Sequence, residues 1–140
     1  MSELPDRVDP SEHIVRFLLH KSEFSIEKNR VKHSAFMPPQ PPKIAEKSVY
    51  RIVNLSVGEM WDIGREYVSQ PRKKTLRGGA ELTVSVIINS SLQVVPNTDP
   101  HPRHANIRGW PEDKAMQLQK ALDLAYNATL LVFVRPSTGC

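Results

Sequence analysis

Residues 99–110 read DPHPRHANIRGW. His101, Arg103, His104, Asn106, Arg108 and Trp110 crowd into this stretch, with Pro100 just before them and Pro102 among them. Prolines stiffen a loop, and a stiff loop preorganises whatever site it carries. An imidazole titrates near neutral pH, so His104 is the candidate general acid or base. The planar fork of an arginine suits a phosphate or a carboxylate, which makes Arg103 and Arg108 the candidate clamp. Trp110 offers a face on which a base can stack, and His101 joins it as a candidate binding residue. The plainer alternative is a solvated proline-rich loop in which Trp110 plugs the start of a helix.

A second cationic stretch covers residues 71–79, PRKKTLRGG. Arg72, Lys73, Lys74 and Arg77 create a local positive field, and Gly78 and Gly79 let a backbone come close. Phosphate contact is the chemistry this implies, and nucleic acid or an acidic partner protein the implied partner. The Gly-x-x-x-x-Gly-Lys-Ser/Thr order is absent, so the turn is not a Walker loop. The competing account is a solubilising loop.

Other chemistries have less support. No Gly-x-Ser-x-Gly elbow occurs. The one cysteine, Cys140, is the last residue. Glu59, Asp62 and Glu66 are expected on the solvent face of a helix. A closed zinc site needs four ligands. His101 and His104, even joined by His13 and His20, match no structural zinc spacing, so neither metal nor cofactor is expected. Arg16, Ser34 and Glu81 follow the Arg, Ser, Glu order of ADP-ribosyltransferase-like folds. The resemblance is in order alone. The Ser-Thr-Ser and Glu-x-Glu tracts of that family are missing, so no residue role carries over from it.

The scaffold must come from one domain. The chain has 140 residues, of which 39% are hydrophobic and 24% charged, near globular norms. Its net charge is +4, a mild basic excess that permits contact with nucleic acid without demanding it. A single cysteine rules out an internal disulfide framework, and a reducing, cytoplasmic setting is expected. No run of 18 apolar residues suggests a membrane span, and the acidic first residues do not resemble a signal peptide.

Residues 1–10 are expected to be a flexible lead-in, residues 11–135 the domain, and residues 136–140 a tail. The apolar run 13–19 suits a buried helix or a strand, and Ser11 as a cap tips it toward helix. Residues 30–36 suggest a short strand, residues 37–42 a proline-rich connection, and residues 48–55 a strand. Ser56 stands three residues before Glu59, the capping-box spacing, and Leu55 and Met60 take the staple positions. A helix over 57–68 follows, ended by Pro71. Alternation predicts a strand over 82–88 and a second over 92–95, with a short helix capped by Thr83 as the competitor. Residues 105–107 suggest a strand. Pro111, Glu112 and Asp113 open a second helix with Ala115, Leu118, Leu122, Ala125 and Thr129 buried, and Gln117, Lys120, Asp123 and Asn127 outward. The apolar run 129–134 reads as a central strand.

These elements predict an α+β fold, a mixed or mostly antiparallel sheet with two or three helices packed on it. Two functions fit. One is a small accessory protein that presents a basic surface to nucleic acid or a partner protein. The other is an enzyme acting on a nucleotide or RNA phosphate, with His104 as acid or base and arginines as the phosphate clamp. The geometry that separates them is whether the 72–79 turn and the 101–108 loop meet at a cavity.

Overall fold

A computed structural model describes residues 4–133. Its strands are β1 (His13–Leu18), β2 (Phe24–Ser25), β3 (Arg30–Val31), β4 (Lys47–Arg51), β5 (Gly78–Thr83), β6 (Gln93–Pro96), β7 (His104–Arg108) and β8 (Thr129–Val132). Its helices are α1 (Val57–Ile63), α2 (Val84–Asn89) and α3 (Lys114–Asn127). Six strands form one antiparallel sheet in the order β6-β7-β4-β1-β5-β8, and β2 pairs with β3 in a separate ribbon. The fold is α+β. No helix among the described residues is long and apolar enough to cross a membrane.

Both faces of the central strands are covered. Ile14, Leu18, Val49, Leu82 and Ile107 pack with Phe36 and with Val84, Ile87, Ala121 and Leu124 from α2 and α3. Val15, Phe17 and Tyr50 pack on the opposite side with Met60, Ile63 and Val68. Residues that alternate along a strand therefore all meet apolar neighbours. This explains why the run 13–19 is a strand and not the helix that Ser11 suggested. Ser11 instead turns on Asp9, whose carboxylate accepts from both its amide and its hydroxyl. Upstream, Val8 is buried and the Pro5 carbonyl accepts from Arg51.

The capping box forms as its spacing requires. Ser56 Oγ accepts from the Glu59 amide at 3.1 Å, and Glu59 accepts from the Ser56 amide at 2.9 Å. Beyond Ile63 the helix widens into π-type turns over Gly64–Ser69. The Gln70 amide donates to the Arg65 carbonyl, five residues back.

Elsewhere the structure departs from the sequence expectations. Residues 84–89 form the short helix α2, because Val84 and Ile87, one turn apart, are both buried. The glycines expected in a basic turn begin β5 instead. A Cβ on Gly78 would lie 2.6 Å from the Leu131 carbonyl oxygen, so only glycine lets β8 come this close. β8 is an edge strand and not a central one. Along α3 the buried residues are Gln117, Ala121, Leu124 and Ala125, while Leu118 and Leu122 are exposed. Gln117 turns inward because its amide donates to the Pro111 carbonyl and its oxygen accepts from Gln40. Residues 134–140, including Cys140, lie outside the described residues.

Candidate functional site

The site begins with a defect in the sheet. β1 and β4 pair at two positions, Ile14 with Arg51 and Val15 with Tyr50. The Ile52 amide donates to the His13 carbonyl, so even-numbered residues of β4 turn their backbone groups toward β1. By that rule the Ser48 carbonyl faces a stretch of β1 with which it makes no ladder pair. The Arg16 side chain fills the opening. Its Nη1 donates to the Ser48 carbonyl at 3.0 Å, and its Nε donates to the Ala35 carbonyl at 3.1 Å.

A cavity of about 80 Å³ lies against this guanidinium. Its walls include Arg16, Ser48, Tyr50, Tyr67, Arg72 and His104. β4 and β7 deliver Ser48, Tyr50 and His104, because Tyr50 stands directly opposite His104 in the ladder and Ser48 follows two residues away on the same face. The widened end of α1 delivers Tyr67, and the turn after it delivers Arg72. Arg72 Nη1 donates to the Val68 carbonyl at 3.2 Å, which ties this exposed side chain to the helix end.

His104 is 6% exposed and held at both nitrogens. Nδ1 lies 2.8 Å from the Asn97 carbonyl oxygen, which can only accept, so Nδ1 carries the proton. Nε2 of the neutral ring is then an acceptor, and the Ser48 hydroxyl, 2.6 Å away, donates to it. Hydroxyl, imidazole and carbonyl line up in a fixed relay.

The surroundings are electropositive. Burial, and then the charge of Arg72, press Arg16 below the usual arginine value, while Glu23 and Tyr50 pull the other way. Burial and the same two arginines bring Lys47 down to about 8. Burial raises the Tyr50 phenol, which therefore stays protonated at neutral pH. Among the described residues no carboxylate makes an ion pair with Arg16, Lys47 or Arg72. The charge of Glu23 acts on Arg16 and Lys47, and its carboxylate accepts from the Leu19 and His20 amides. Three cations against the one carboxylate charge of Glu23 leave a net positive field, which favours an anion between them.

Of the site residues expected from the two sequence segments, the cavity takes one from each, His104 and Arg72, and Pro100 also lines it. His101 sits beside the cavity, with its ring edge-on to Tyr67 at 4.7 Å and to Tyr50 at 6.2 Å. Burial, and then Arg103, lower its pKa. The other expected residues lie elsewhere. Arg103 Nη1 donates to the Arg51 and Val53 carbonyls. Arg108 pairs with Glu46, and Trp110 donates its indole N–H to the Ile107 carbonyl. Arg77 Nε donates to the Leu19 carbonyl. Lys73 and Lys74 are exposed just after Arg72. Ser34 donates to the Ser22 carbonyl and Glu81 pairs with His13, so the Arg16, Ser34, Glu81 order does not form a cluster. No three His, Cys, Asp or Glu residues among those described gather as a metal site.

Arg16, Ser48, Tyr50 and Tyr67 were not singled out as site residues by the sequence. One signal for Arg16 was present: it is the lone charge inside the run IVRFLL. A cation in a strand covered on both faces needs partners, and such sites are functional candidates. The chain matches no protein-family model, and no curated protein or solved structure is significantly similar to it.

Proposed function

We propose that this protein is an enzyme acting on the phosphate of a nucleotide or RNA, with Arg16 and Arg72 gripping the phosphate and His104 as the acid–base group. One observation carries the proposal: His104, fixed at both nitrogens, shares a cavity with two arginines that make no ion pair among the described residues. Fixed cations stabilise charge that develops on a transferring phosphoryl group, and a positioned imidazole moves the proton. Tyr67 at the rim, partly exposed beside His101, offers an aromatic face to a base.

The same surface supports a second reading, an accessory protein that binds nucleic acid or a partner protein without turnover. Lys73 and Lys74 favour it, since they extend the positive surface outward from Arg72. Activity separates the two. Labelled oligoribonucleotides and small phosphate esters should bind in a salt-sensitive way and be turned over. Arg72→Ala should weaken binding about tenfold, the loss of one charge-assisted contact. His104→Ala should cut turnover by about a hundredfold or more while binding persists. Binding without turnover supports the accessory reading. Absence of both, with RNA and with small esters, refutes the site.

A further inference from the structure

We infer that the Ser48 hydroxyl is the attacking nucleophile at this site, and that the reaction passes through a phosphoserine at residue 48. The inference rests on the phosphoryl reading above and names the group that attacks phosphorus.

The geometry leaves His104 little choice of proton. Its Nδ1–H is committed to the Asn97 carbonyl, and its Nε2 lone pair points at Ser48 Oγ. A water or a ribose 2′-hydroxyl could reach Nε2 only by displacing Ser48. The proton within reach of the base is therefore the serine's own. A hydroxyl bonded to an imidazole whose other nitrogen is oriented by a third group is the usual signature of an activated nucleophile. Here a backbone carbonyl is that third group.

Ser48 is also positioned from behind. Its carbonyl oxygen accepts from Arg16 Nη1, and the same side chain lines the cavity. Arg16 thus fixes the strand that carries the nucleophile and presents charge to the group under attack. A cavity of about 80 Å³ admits a group of a few heavy atoms at Ser48, while a base or an alcohol portion would lie outside, toward Tyr67.

The chemistry balances in two steps. Ser48 Oγ forms a bond to phosphorus as the bond from phosphorus to the leaving oxygen breaks. The serine proton passes to His104 Nε2, and the leaving oxygen, opposite Oγ in the in-line displacement, takes a proton from water. Hydroxide, formed as that oxygen took a proton from water, then attacks phosphorus from the side opposite Oγ, the Oγ–phosphorus bond breaks, and Oγ takes back the proton held on Nε2. One ester and one water become an alcohol and a phosphate. No 2′-hydroxyl takes part.

The test uses p-nitrophenyl phosphate, the p-nitrophenyl ester of thymidine 5′-phosphate and an oligoribonucleotide, all with the full chain. The first two have no 2′-hydroxyl adjacent to the scissile phosphate. At least one of them should be turned over, and acid-quenched protein should carry on Ser48 one phosphoryl group from the first ester or one thymidylyl group from the second, by peptide mass spectrometry. Ser48→Ala should lower turnover by about a hundredfold or more while its thermal midpoint and phosphate binding hold. Ser48→Cys, a change of one atom, should retain a measurable part. Three results overturn the inference while leaving the phosphoryl reading intact. They are cleavage of RNA alone with a 2′,3′-cyclic phosphate product, Ser48→Ala turnover within about tenfold of the parent, and no phosphorus adduct on Ser48 during turnover. Hydrolysis of p-nitrophenyl acetate with an acyl group on Ser48, and none of the phosphates, overturns both.

Discussion

Arg16→Met should expose what joins fold and site. The substitution keeps an apolar stem of similar length and deletes the fork. Two bonds disappear, from Nε to the Ala35 carbonyl and from Nη1 to the Ser48 carbonyl. Hydrogen bonds to a charged group contribute about 1.5–3 kcal/mol each, so their sum is roughly 3–6 kcal/mol. Water entering the adjacent cavity can satisfy the Ser48 carbonyl and recover part of that, which leaves a net loss of about 3 kcal/mol. For a domain of this size the loss lowers the thermal midpoint by about 10 °C. Urea unfolding and calorimetry would measure it. Arg16→Lys keeps the charge but not the fork, and should fall about midway. Phosphate supplies a second readout: at ten times its Kd it should stabilise the parent by about 1.4 kcal/mol and the Met variant by much less. An Arg16→Met protein within about 1 kcal/mol of the parent would refute the stitching role. An Arg16→Lys protein as stable as the parent would show that charge alone suffices.

Two further substitutions probe the frame around the site. Arg51 and Glu12 form a buried two-pronged pair at 2.8 and 2.7 Å, so Glu12→Gln should cost about 3–5 kcal/mol at pH 7 in urea titration. Burial works against the Glu12 carboxylate, but the Arg51 hydrogen bonds and charge and the Asp9 amide outweigh it and hold its pKa below the ordinary value. A folded-state value below the unfolded one adds stability above the unfolded value of about 4.3 and loses it as pH falls further. The gap between parent and Glu12→Gln should therefore shrink below pH 4, and a constant gap would contradict the assignment. Gly78→Ala places a methyl 2.6 Å from the Leu131 carbonyl oxygen, so it should cost about 1–3 kcal/mol and raise hydrogen exchange in β8 before the rest of the sheet.

The sequence was most legible where one local signal decided the outcome. Ser56 and Glu59 mark a helix start by hydrogen bonds that span three residues, and the structure makes both. It was least legible where tertiary covering decides. The residues of β1 look too apolar for one exposed face because neither face is exposed, and helix and strand then share one pattern. On α3 the apolar stripe and the buried stripe differ, because Gln117 finds the Pro111 carbonyl and Gln40 inside. The site divides in the same way. His104 and Arg72 lie in segments dense in charge and could be picked out. Ser48 and Tyr50 look like ordinary strand residues, and only the β4–β7 register brings Ser48 to the imidazole.

The cavity and the opening in the sheet are two consequences of one residue. A regular ladder between β1 and β4 would satisfy the Ser48 carbonyl with a backbone amide and leave no reason for a cation there. Arg16 replaces that amide with a guanidinium, and a guanidinium has five N–H donors, of which the two carbonyls use two. A fold that needed only to cap a carbonyl would not add Arg72 and Lys47, whose pKa falls to about 8, to the same neighbourhood, since each cation raises the cost of the next. The cost is offset in part by the charge of Glu23, which acts on both Arg16 and Lys47. It turns into binding free energy when an anion enters, as the repulsion that weakened the cluster becomes attraction to a common centre. The hydroxyl that faces this centre is the one bonded to His104.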